Sequence, residues 1–156
     1  AKAGQQMYAA AGVTTAQEGA THVNQLEQLQ RIAAQGALYI DVVSYTFILD
    51  LDKVLAHNPP STFGAYKNRL KLGGCKILGD GSPQGKTAFF TTPYLTGGPE
   101  GQKNWRGEPT FPQPETNAAV KKCYDHGLQV LFHANGDAAV DSLITAHEFA
   151  AAGTLD

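Results

Sequence analysis

The residue whose setting most invites chemistry is His133. It closes the apolar run Val130-Leu131-Phe132 and is followed by small residues that leave its ring accessible. A neutral imidazole there can bind zinc or act as a base; the plainer alternative is a ring hydrogen-bonded at a strand end. Lys76 comes second, a cation within a short strand flanked by Cys75 and Ile77. Buried lysines are rare unless paired or functional, and the alternative is a side chain that snorkels outward at a rim. Asp80 with Gly81 reads in plain terms as a turn and Asp137 as a helix cap. His147 falls on the apolar stripe of the last helix, seven residues after Val140, and reads as packed. His22, His57 and His126 stand at helix starts or ends without a constellation.

One motif is rejected on its count. Gly85-Lys86-Thr87 after Gly79-Asp80-Gly81-Ser82-Pro83-Gln84 evokes a phosphate-binding loop, in which four residues separate the first glycine from Gly-Lys-Ser/Thr. Gly81 leaves too few residues and Gly79 too many, while Pro83 removes an N–H that a phosphate cradle needs. The following Phe89-Phe90-Thr91-Thr92-Pro93 does not open as a helix.

The elements that must position these residues alternate strand and helix. Residues 12 to 16 read as a short β-branched strand after a small-residue helical stretch. A helix follows, with Thr21 as N-cap, Val23, Leu26, Leu29 and Ile32 every third residue, and Gly36 at C′. Residues 38 to 48 suit a strand covered on both faces, and a short helix runs from about Leu51 to His57. The third strand is Cys75 to Leu78, entered from Gly73-Gly74, and a long Gly, Pro and Thr-rich loop occupies 82 to 112. Pro114 and Glu115 open a helix that stops at Gly127. Leu128 to His133 is the fourth strand, and Asp137 caps a helix whose apolar face is Val140, Leu143, Ile144 and Ala151.

Four such units predict an α/β fold with a parallel sheet and helices outside. They make about half of a TIM-type (β/α)₈ barrel, which needs about 250 residues. Residues 1–156 read as a single partial barrel domain, with the 82–112 loop over the C-terminal mouth. The alternative is an open, doubly wound sheet. In either, the site lies just after the strands, which singles out Gln17 and Glu18, Asp80 and Ser82, and His133, Asn135 and Asp137.

Composition narrows the partners. Charged residues are 17% and the net charge is -2, so no basic footprint draws in nucleic acid or an anionic membrane. A small or neutral partner is expected. No apolar run has the length of a membrane span and the start lacks the order of a signal peptide, so a soluble, cytoplasmic protein is expected. Cys75 and Cys123 are then expected to be buried and reduced, without a disulfide. The chain opens Ala1-Lys2-Ala3 without an initiator methionine and closes Thr154-Leu155-Asp156 where a helix ends, as if cut from something longer.

The stretches GGCKILGDGSPQGKTAFFTTPY (Gly73 to Tyr94) and GLQVLFHANGDAAVD (Gly127 to Asp141), with the weaker GVTTAQEG (Gly12 to Gly19), resemble amidohydrolase family 3, which includes N-substituted formamide deformylases. The resemblance spans essentially the whole chain but only a middle portion of a full-length member. It implies a distorted (β/α)₈ barrel with a divalent metal, usually zinc, at its C-terminal mouth, activating water against an amide or related carbon. It makes Lys76, carboxylated by CO₂, and His133 the metal ligands, since a carbamate supplies anionic oxygens where an ammonium would repel the ion. Asp80 and Asp137 take supporting roles; Tyr94 and Trp105 on the long loop either line a substrate pocket or pack at the surface. The family's His-x-His pair, its later strand histidine and its final aspartate have no counterpart in these residues. Asn135 stands where an apolar residue is usual.

The reading is therefore a fragment of a metal-dependent amidohydrolase acting on a small amide-type substrate through non-peptide C–N bonds, with the isolated chain inactive. Its alternatives are a non-catalytic half-barrel that self-associates, as a homo-oligomer covering exposed sheet edges, or a small-molecule binding module.

Overall fold

A computed structural model describes residues 2–152. Ala1 and the closing Thr154-Leu155-Asp156 lie outside the described residues. The chain divides into two compact units, Ala1–Lys76 with His126–Leu131, and Ile77–Asp125 with Phe132–Asp156.

The first unit opens with α1 (Lys2–Ala10), which Gly12 ends at φ +79. The buried Gln5 ties this helix down: its amide donates to the Ala37 carbonyl at 3.0 Å and accepts from the Tyr39 N–H at 2.8 Å. Strand β1 is Thr15–Thr21, later than residues 12 to 16, because Gly12 serves as the helix stop and the strand runs on through Gly19. Gln17 and Glu18 consequently lie inside β1, and Thr21 is its last residue and no cap. The N-cap of α2 (Val23–Ala34) is His22, whose backbone N–H donates to Gln25 Oε1 at 2.9 Å. Gly36 does sit at C′, at φ +65.

Strand β2 (Asp41–Phe47) runs parallel to β1, then a 3₁₀ turn at Ile48–Asp50 leads into α3 (Leu51–Leu55). The apolar stripe of α2 meets the sheet in two clusters. Ala33 packs with Leu38, Val42 and Leu70, and Leu26 with Val54 and Leu72.

A feature absent from the sequence reading is a small hairpin. Strand β3 (Tyr66–Lys67) pairs antiparallel with the start of β4 (Leu70–Leu78) through Asn68 and Arg69, both at positive φ, the backbone of a tight two-residue hairpin turn. The third strand of the sequence reading thus begins at Leu70. Gly73 and Gly74 are within it, since a Cβ on Gly73 would sit 2.8 Å from the Tyr45 ring and one on Gly74 2.1 Å from the Gln129 carbonyl oxygen.

Strand β4 runs parallel to β2, and β5 (Gln129–His133) pairs with β4. The strands joined by helices therefore follow one another across the sheet in chain order, β1-β2-β4 and then β5. That progression belongs to part of a TIM-type barrel. A doubly wound sheet reverses its order at a switch point.

In the second unit α4 (Gln113–Asp125) packs against α5 (Asp137–Ala151). Gln113 bonds Ser142 twice, at 2.9 and 2.6 Å, and Tyr124 Oη lies 2.7 Å from His147 Nδ1. The buried face of α5 is Ala139, Ala146, Ala150 and Ala151, while Val140 and Ile144 are exposed. The expected large-residue stripe is thus largely turned outward, because small side chains let the two helices approach closely. His147, expected to be packed, is exposed and held by Tyr124.

Neither cysteine is a free thiol. Cys75 and Cys123, both fully buried, are disulfide-bonded, against the expectation of reduced cysteines. That expectation rested on the presumed compartment alone. No helix among the described residues is long and apolar enough to cross a membrane.

Thr46 is fully buried on β2, and its hydroxyl has no hydrogen-bond partner among the described residues. Thr46→Val keeps the branched shape and removes the stranded hydroxyl. It is expected to raise stability by about 1 kcal/mol, read as a higher urea midpoint at unchanged m; a lower midpoint would contradict the assignment.

Candidate active site

The C-terminal strand ends of the first unit carry Thr21 on β1 with His22 just after it, Phe47 on β2 and Lys76 on β4. Thr21 is in register with Thr46, and Phe47 with Lys76. Lys76 is half-buried, and desolvation lowers its ammonium pKa below the ordinary 10.5. Burial thereby favours the neutral amine over the ammonium. The same unit holds a pair that sequence reasoning missed. His22 Nδ1 lies 2.6 Å from Asp50 Oδ2, and the His22 ring meets Phe47 edge-on at 5.3 Å. These residues are 28 apart in sequence and meet only because β1 and β2 are in register. Their one sequence signal is position, each just after a strand. The pair ties the start of α2 to the turn before α3.

In the second unit the turn after β5 is built around Asp80, which is 5% exposed. Its Oδ2 accepts the Phe89 N–H at 2.9 Å and the Gly136 N–H at 2.7 Å, and its Oδ1 accepts the Asn135 N–H at 2.9 Å. One carboxylate thereby fixes both the 133–137 turn and the start of the long loop. His133 is half-buried, with Asn135 Nδ2 2.9 Å from its Nε2.

Asp137 is the first residue of α5, and Gly136 is the N-cap. Its carboxylate accepts from both Thr91 Oγ1 and the Thr91 N–H, at 2.5 and 2.8 Å. Those bonds, the hydroxyl's first, lower its pKa below the ordinary 3.8. A depressed carboxyl contributes stability that is present above the unfolded value and lost as pH falls through the folded one. Asp137→Asn is therefore expected to flatten the loss of stability below about pH 4, followed by thermal midpoint against pH. A variant as acid-sensitive as the parent would remove Asp137 from that role.

The loop 82–112 knits to itself. Tyr94 Oη donates to the Ala88 carbonyl at 2.9 Å, and the Trp105 indole N–H donates to the Lys86 carbonyl. Tyr94 is pushed up from its ordinary pKa, chiefly by desolvation and in smaller part by the Asp80 charge, while the Ala88 bond opposes. The Gly85-Lys86-Thr87 stretch forms a turn closed by Thr87 N–H to the Ser82 carbonyl at 3.0 Å. Lys86 Nζ reaches the Thr96 and Gly98 carbonyls, so no phosphate cradle forms.

These residues do not close a metal site by themselves. Among the described residues no three His, Cys, Asp or Glu side chains are grouped to hold an ion. Both oxygens of Asp80 hold backbone N–H groups, both of Asp137 hold Thr91, and His133 Nε2 faces an amide donor.

The chain spans about 30% of the length of two metal-dependent hydrolases of known structure that it resembles. One, an uncharacterized metal-dependent hydrolase of Pyrococcus horikoshii OT3, superposes with a TM-score of 0.79 and 26% identity over 94% of this chain and 29% of its own. The other, from Pyrococcus furiosus, gives 0.79 and 27% over 96% of this chain and 30% of its own. No protein of curated function matches. The Amidohydrolase family model matches residues 1–154. With that match across nearly every residue, the chain belongs to the amidohydrolase family.

Proposed function

We propose that this chain is a segment of a metal-dependent hydrolase that cleaves non-peptide C–N bonds of small amide-type substrates, of the N-substituted formamide kind. Lys76, carboxylated, and His133 are its contributions to a divalent centre, most simply zinc, which further barrel strands complete. The observation that carries the reading is the place of Lys76, half-buried at the C-terminal end of a parallel strand, where barrel enzymes keep their chemistry. Asp80 and Asp137 support the turn that presents His133, and Tyr94 and Trp105 border the substrate side of the loop. No nucleic acid or membrane takes part. Hydrolysis of an N-substituted formamide is expected only when the flanking barrel is supplied; activity of the 156 residues alone would refute the segment reading.

The exposed Val140, Ile144 and Phe149 of α5 favour a second reading, self-association. Light scattering that shows monomer at every concentration removes it. The cytoplasmic location expected from sequence goes with reduced cysteines, and the disulfide-bonded state of Cys75 and Cys123 goes with an oxidising compartment. A thiol count on the protein as isolated decides between the two.

A further inference from the structure

Asn135 is unlike the rest of its turn in what its side chain does. Nδ2 lies 2.8 Å from the Gly81 carbonyl oxygen and 2.9 Å from Nε2 of His133. A carbonyl oxygen only accepts, so the atom facing Gly81 is the NH₂ nitrogen, and the orientation of the amide follows from chemistry. That nitrogen only donates. Nε2 of His133 must therefore accept, which puts the ring proton on Nδ1. Asn135 has little freedom to retreat, because Asp80 holds its backbone N–H at 2.9 Å and that of Gly136 at 2.7 Å.

We propose that Asn135 is a positioning residue that locks His133 as the Nδ1–H tautomer and occupies its Nε2 lone pair, so that Nε2 takes a metal ion only when the Asn135 side chain turns away. Metal-binding histidines are ordinarily supported from the far side, where the other ring N–H donates to an acceptor. Here a donor sits on the lone pair itself, and one lone pair cannot serve a donor and a cation together. The lock is a property of the metal-free protein. Only the competition with metal rests on the ligand role proposed for His133.

The test is a two-bond proton–nitrogen correlation spectrum of the metal-free, ¹⁵N-histidine protein at about pH 8, above the ordinary imidazole range, with His133 assigned by His133→Gln. The parent should show His133 with its proton on Nδ1. Asn135→Val, which lacks the donor, should give a mixture of tautomers. Asn135→Asp, which can only accept, should move the proton to Nε2. An Nε2–H signal in the parent, or one tautomer in all three proteins, overturns the lock. Because the lock is read in two variants of opposite chemistry, failure of either to fold leaves the other to decide. Zinc added to the same samples should perturb His133 at about five- to tenfold lower concentration in Asn135→Val, the factor a single neutral hydrogen bond is worth. Equal or weaker zinc binding in the variant overturns the competition. Zinc that perturbs His133 in neither protein, with the tautomer shift intact, overturns the competition in this chain and leaves the lock standing.

Discussion

Asp80→Ala is expected to lower stability by about 3–5 kcal/mol, a large fraction of what an ordinary domain possesses. The carboxylate is buried and accepts three backbone N–H groups, from Phe89, Asn135 and Gly136. Hydrogen bonds to a charged acceptor are the strong kind, and each donor abandoned in a buried place carries its own desolvation cost. Asp80→Asn should fall between, because the amide keeps one accepting oxygen and turns an NH₂ toward a backbone donor. Urea unfolding followed at constant m gives the comparison. An alanine variant within 1 kcal/mol of the parent, on the scale of an ordinary surface substitution, would show that Asp80 does not organise the turn.

Gly136→Ala is expected to be nearly as damaging, for a different reason. A Cβ on Gly136 would lie 1.8 Å from the Phe89 carbonyl oxygen, far inside contact distance. The backbone there is at φ -84, which any residue adopts, so the whole penalty is steric. Moving the turn away breaks the Gly136 bond to Asp80, and a loss above about 3 kcal/mol follows. Gly127→Ala is the control. It sits at φ +65 with nothing within 4 Å of the added carbon, so only the backbone penalty of about 1–2 kcal/mol applies. Equal losses at the two positions would mean that the close approach of residues 89 and 136 is absent in solution.

The sequence disclosed those features whose cause is local. The three-residue recurrence of Leu26, Leu29 and Ile32 marked α2, Gly36 marked its end, and the apolar run before His133 marked β5, because each signal is carried by neighbours in the chain. What stayed hidden depends on distant partners. The β3–β4 hairpin turns on Asn68-Arg69 without the glycine that usually advertises such a turn. The Gly73-Gly74 pair read as a strand entry, when it is a place where Tyr45 and Gln129 come close. On α5 Ala151 is buried as expected, but Val140 and Ile144 point outward and Ala139, Ala146 and Ala150 pack in their place.

At the site, position after a strand singled out Asp80 and His133 but disclosed none of their partners. Asp80 draws on residues up to 56 positions away, and His22 meets Asp50 across 28.

The central claim is that Lys76 and His133 belong to a metal centre that this chain contributes to and does not complete. Zinc content by elemental analysis tests it, on the 156-residue chain and on the chain joined to the strands that complete its barrel, after growth with zinc and bicarbonate. The account predicts no stoichiometric zinc in the chain alone, and zinc in the completed barrel that is lost in both His133→Ala and Lys76→Ala. A completed barrel without zinc, or one that keeps its zinc through both substitutions, would contradict it.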